Sequence, residues 1–318
     1  MCIRDRFEAT RIALDINHAN HEALEHMWWC VEISGKYRDS IKLHKEIISK
    51  DPYSYLAWYN LGYAFFNLEL YEKAANAMEY SYLINQDFYE AYKMAAESYI
   101  HLKEYDKAMD CYTDLLGLLE GDSELYVKIG YCYEEQCNYE GAKSHYLLAI
   151  RKNNQDHLAY FHLGEFYKKQ GEFNKGTAAY LKAIQLDDRN ELYYYSLADL
   201  YVQTSEYEKA IPFFRQAADI AADVPDYWLD FANFYLEQEK NQEALDVLNE
   251  ALQYTTGHEI LYCKVACLFR MGMSEYGEKV LREALIQDKS SSSILYDYAP
   301  ELESNVRVQL IINYFDQN

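Results

Sequence analysis

The chain is poor in the residues that punctuate tight turns: four prolines and twelve glycines serve 318 residues. An all-β protein with many short strands needs more of both, which excludes that class. Basic side chains are also few, 30 Lys and Arg against 52 Asp and Glu, for a formal charge of −22. Phosphate binding depends on clustered Lys and Arg that release counterions, so nucleic acid is disfavoured as a partner. No apolar run approaches the roughly 18 residues of a membrane span. Seven cysteines, an odd number without the spacing of a disulfide framework, read as reduced thiols. Half of the residues are apolar, enough for a core and too many for intrinsic disorder. Tyrosine is the abundant residue, with 34 copies, and any reading of the fold has to place them.

Self-similarity places them. From Trp58, steps of 34 residues land on Tyr92, Tyr126, Tyr160, Tyr194, Trp228 and Tyr262, and one step back on Leu24. With these as position 4, repeats begin at 21, 55, 89, 123, 157, 191, 225 and 259. Position 8 is then small from the second repeat on, as at Gly62, Ala96, Gly130 and Gly164, and position 11 is mostly Tyr or Phe. Apolar residues at positions 4, 7, 8 and 11, and again at 20, 24 and 27, have helical spacing. This predicts two helices of about 14 residues per repeat, joined by a short turn. Small residues at 8 and 20 let the helices approach, and large rings at 4, 11 and 24 fill the space beside them. Eighteen of the tyrosines sit at positions 4, 11, 17 and 24, so most of the excess is packing. A single hairpin cannot bury its apolar face, so neighbours must stack.

Trp58, Leu61, Gly62, Phe65 and Ala74 carry a known signature: the chain resembles the tetratricopeptide repeat (TPR) family, as a bacterial-type multi-repeat array. The resemblance spans residues 21–291 and implies an all-α fold, a right-handed α-solenoid or superhelix of helix-turn-helix repeats. The expected repeats are 21–54, 55–88, 89–122, 123–156, 157–190, 191–224, 225–258 and 259–291. Residues 1–6 (Met-Cys-Ile-Arg-Asp-Arg) read as the translation of a sequencing adapter, and 7–20 as the second helix of a truncated upstream repeat. That reading predicts an uncovered apolar face at this end. Residues 292–318 read as capping helices, with Leu310, Ile311, Ile312, Tyr314 and Phe315 either covering the last hairpin or binding something.

In the family, positions 2, 5, 9, 12 and 13 of the first helices line a concave groove. Carried onto repeat 2, this gives Leu56, Tyr59, Tyr63, Phe66 and Asn67, an aromatic stretch that either anchors a partner or is covered by neighbouring helices. Across the repeats these columns hold twelve acids, among them Glu97, Glu134, Glu135, Glu165 and Asp199, with Tyr131 between them, and four bases. Such a groove would attract basic segments. The clamp with which some family members grip acidic tails needs Lys at position 5 and Asn at position 9. The one Lys at position 5, Lys93, is followed by Glu97 at position 9, so that function is excluded.

Catalytic and metal signals are weak. Cys263 and Cys267 share a helix face without further ligands at zinc spacing, and His18, His21, His26, His157 and His162 read as surface or packing residues. No Walker loop, nucleophile elbow, H-E-x-x-H or G-x-G-x-x-G is present. The expected function is a non-catalytic scaffold or adaptor without cofactor, located in the cytoplasm, that binds a basic or apolar-anchored protein segment. The alternatives are the regulatory or substrate-presenting region of an enzyme or signalling protein, and an exported lipoprotein of envelope assembly.

Overall fold

The computed structural model describes residues 3–119 and 121–317; Met1 and Cys2, part of the segment expected to derive from an adapter, lie outside the described residues. All regular structure in the described residues is helical. After α1 (Ile3–Ile16), first helices α2 (His21–Ser34), α4 (Tyr55–Phe66), α6 (Tyr89–His101), α8 (Ser123–Glu135), α10 (His157–Lys169), α12 (Glu191–Gln203), α14 (Pro225–Glu237) and α16 (His258–Arg270) alternate with second helices. The second helices are α3 (Tyr37–Lys50), α5 (Tyr71–Ile84), α7 (Tyr105–Leu118), α9 (Tyr139–Lys152), α11 (Phe173–Leu186), α13 (Tyr207–Ile220), α15 (Asn241–Ala251) and α17 (Ser274–Gln287). The short α18 (Ile294–Tyr298), a 3₁₀ turn (Pro300–Ser304) and α19 (Val306–Gln317) follow. The fold is an all-α, TPR-type solenoid.

The chain forms two compact units, Met1–Leu163 and Gly164–Asn318, divided within α10. In the first unit every helix from α1 to α9 packs on the next, and first helices also touch one another, α2 on α4 and α4 on α6. In the second unit helices α11 to α17 pack in the same way, α14 touches α16, and α18 and α19 lie on α16 and α17. First helices thus touch one another directly as well as through their second helices.

The hairpin turns follow one rule. Gly35, Glu69, Lys103, Cys137, Gly171, Ser205, Glu239 and Gly272 all have positive φ, the left-handed conformation that ends a helix. In most turns the next N–H then bonds the carbonyl five residues back, as from Leu70 to Phe65 (3.0 Å), Glu104 to Tyr99 (2.9 Å) and Asn138 to Tyr133 (2.8 Å). This bond satisfies a helix-end carbonyl and reverses the chain. The column of aromatic residues at position 11 therefore also marks the acceptor of the turn.

Within a hairpin the small residue of the first helix faces the large residue of the second. A Cβ at Gly130 would lie 2.7 Å from the Tyr146 ring, at Gly164 2.7 Å from Tyr180, and at Gly62 2.8 Å from the Met78 side chain. Tyr146, Tyr180, Trp228 and Tyr262 are fully buried, each contributing about 2–3 kcal/mol of apolar burial. At the ends the faces divide. Phe7 and Leu14 of α1 are buried while Ile12 and Ile16 are exposed; Val308, Ile311 and Ile312 of α19 are buried while Val306, Leu310 and Tyr314 face outward.

Candidate functional site

The first helices carry the columns expected to line a groove, and the fold treats their residues differently. In repeat 2, Leu56 and Tyr59 are buried, Tyr59 at 8% exposure. Tyr59 meets Phe88 edge-on at 5.0 Å, and Phe88 in turn packs on Tyr55 at 5.1 Å. Burial first, and the acids Glu90, Glu97 and Glu32 second, push its phenol up to about 12. Tyr59 is thus a packing residue with little surface for a partner. Tyr63 is half-buried and packs edge-on against Trp28 at 5.8 Å. Phe66, also half-buried, meets Tyr71 at 5.4 Å and His101 at 5.5 Å. Asn67 is exposed, and its amide donates to the Tyr63 carbonyl at 2.9 Å.

The acids also divide. Glu134 is buried, 8% exposed, and accepts a hydrogen bond from the Tyr146 hydroxyl at 2.8 Å. Glu165 accepts one from Tyr180 at 2.6 Å. Both phenols are held well above their ordinary range, by burial and then by these carboxylates, and so remain donors. Second-helix tyrosines thereby tether groove acids from below. Lys168 lies 3.6 Å from Glu165 and 3.0 Å from Asp199, so this groove base is neutralised within the second unit. Glu135 is exposed and accepts from the Tyr105 hydroxyl at 3.3 Å.

Glu97 and Tyr131 come together. With Ile100, His101, Val127, Lys128 and His162 they line a cleft of about 320 Å³ within the first unit. His101 stacks on Tyr71 at 4.2 Å, which fixes that wall. Glu97 and Tyr131 were expected groove residues and His162 a surface or packing residue, while Ile100, His101, Val127 and Lys128 were not singled out. The signal was present, because Ile100, His101 and Val127 stand at groove positions 12, 13 and 5; that they converge is a property of the stacked hairpins. In the second unit a larger cavity, about 720 Å³, is lined by polar groups including Asn233, Glu237, Arg270 and Asp297, and Arg270 is engaged by Glu301 at 2.9 Å. Among the described residues no group of three or more metal-ligating side chains occurs, and no helix is long and apolar enough to cross a membrane.

Comparison with known proteins points the same way. Family models described as tetratricopeptide repeat match residues 34–90 and 157–190, and that of anaphase-promoting complex (cyclosome) subunit 3 matches residues 177–251. No curated protein matches significantly. Among solved structures, the APC/C hetero-tetramer Cut9–Hcn1 is similar over 79% of this chain and 51% of that one, at 18% identity and a TM-score of 0.52. The chain thus spans about half the length of that neighbour. MamA is similar over 50% of this chain and 94% of its own, at 20% identity and a TM-score of 0.43. The 34-residue periodicity, the helical hairpins and the family matches agree that the chain carries tetratricopeptide repeats, matched at residues 34–90 and 157–190.

Proposed function

We propose that the chain is a non-catalytic protein-interaction scaffold that takes a basic, apolar-anchored segment of a partner on the inner face of its first helices. The observation that carries this reading is the company kept on that face. Within the first unit, accessible parts of Tyr63, Phe66 and Tyr131 lie on the same set of first helices as Glu97 and Glu135, on a protein of charge −22. Aromatic surface supplies anchors, and the surrounding negative potential steers cationic segments and weakens with salt. The match to a subunit of a multi-protein complex supports a role in assembly.

A random-peptide display selection against the full chain, at low and moderate salt, tests this. The expected result is enrichment of peptides that combine Lys or Arg with a bulky apolar residue, with affinities that fall as salt rises. Enrichment of acidic peptides, or of none, would overturn the reading.

A further inference from the structure

We infer that the cleft of the first unit is the anchor point of the partner segment, seating one bulky apolar side chain whose neighbouring Lys or Arg is held by Glu97. This rests on the function proposed above and adds which residues recognise which chemistry. Val127, Ile100 and Tyr131 give the cleft apolar walls, and its volume of about 320 Å³ suits a large side chain.

Glu97 is distinguished from the other groove acids by what lies beneath it. It occupies the same place in its hairpin as Glu165, and Tyr112 the same place as Tyr180. Tyr180 donates to Glu165 at 2.6 Å, whereas the buried Tyr112 hydroxyl has no hydrogen-bond partner, although Glu97 is the charged group that acts on it most. The glycines offer a cause. Tyr180 and Tyr146 press on Gly164 and Gly130, where a Cβ would be only 2.7 Å away. The hairpin of Tyr112 carries Ala96 at that position, and its methyl occupies the space those rings use. Released from the tyrosine, Glu97 turns into the cleft, where among the described residues its ion pair is with Lys128 at 3.9 Å, with both side chains over a third exposed. An ion pair this long and this hydrated is weak, and a partner cation that brings its own apolar anchor displaces Lys128. Charge complementarity selects this occupant, because the two helices that flank the cleft carry Glu90, Glu97, Glu124, Glu134 and Glu135 against Lys93 and Lys128.

The test uses the tightest peptide from the display selection, titrated by fluorescence anisotropy into the full-length chain and three variants. Glu97→Gln is expected to weaken binding about fivefold or more and to flatten its salt dependence. Lys128→Ala is expected to tighten binding about two- to threefold, because it removes the competitor. Replacing the cation of the peptide by Gln should cost wild type as much as Glu97→Gln does, and cost that variant little more. Glu72→Gln, on the exposed side of α5, should change nothing. The opposite signs of the two cleft variants separate recognition from damage to the fold. If selected peptides bind yet Glu97→Gln and Lys128→Ala both leave affinity within twofold, or both lower it, the cleft assignment is wrong while the scaffold reading stands. If no peptide is selected, both fall.

Discussion

Two buried residues show how tightly side-chain choice is constrained. Gly130 faces the fully buried Tyr146, whose hydroxyl also holds Glu134. In Gly130→Ala the methyl would overlap that ring. Overpacking costs about 1–3 kcal/mol, against about 1 kcal/mol gained in helix propensity, so the overlap wins. Thermal unfolding should show a lowered midpoint for Gly130→Ala; an unchanged or raised midpoint would refute the packing argument. His44 is the second case. It occupies the column of Met78, Tyr112 and Tyr146, is fully buried, and bonds Ser40 through Nδ1 while Nε2 has no partner. Burial lowers its pKa from 6.5 to about 4. The unfolded chain therefore binds the proton more readily, and stability is lost as pH falls from about 6.5 towards 4. The loss between pH 7 and pH 5 is about 2 kcal/mol. Urea unfolding of His44→Met should show a pH dependence flatter by that amount than wild type, and equal slopes would remove His44 as the cause.

At the scale of elements, the turns decide where helices end. Eight hairpin turns use the left-handed conformation, yet five of the eight residues that adopt it carry a side chain: Glu69, Lys103, Cys137, Ser205 and Glu239. A left-handed non-glycine residue costs about 1–2 kcal/mol, partly offset by the greater entropy that glycine has to lose on folding. Lys103→Gly is thus expected to stabilise by about 0.5–1 kcal/mol, and Gly171→Ala to destabilise by about 1 kcal/mol. Chemical denaturation of both variants is the check, and shifts of the same sign would contradict it. The positive φ at these positions had no sequence signature, because the turn's backbone bonds enforce it whatever the residue.

For the whole molecule, legibility follows the range of the interactions. The helical class and the hairpin were readable, because Trp58, Gly62, Phe65 and Ala74 encode packing inside one repeat and recur every 34 residues. Exposure within the groove columns was not, because it depends on other hairpins and on second helices. Phe88, in the link that leads to the next hairpin, covers Tyr59, and Tyr146 reaches Glu134 from below. The cleft around Glu97 draws on residues of three successive repeats, none remarkable in isolation. The same locality implies that stability is roughly a sum over neighbouring hairpins, and the proposed function confines recognition to the first helices. Hydrogen–deuterium exchange of the full chain, with and without a selected peptide, tests that central claim most directly. Added protection is expected in first helices, led by α6 and α8 at the Glu97 cleft, with α5, α7 and α9 unchanged. Protection confined to second helices, or to the exposed face of α19, would contradict it.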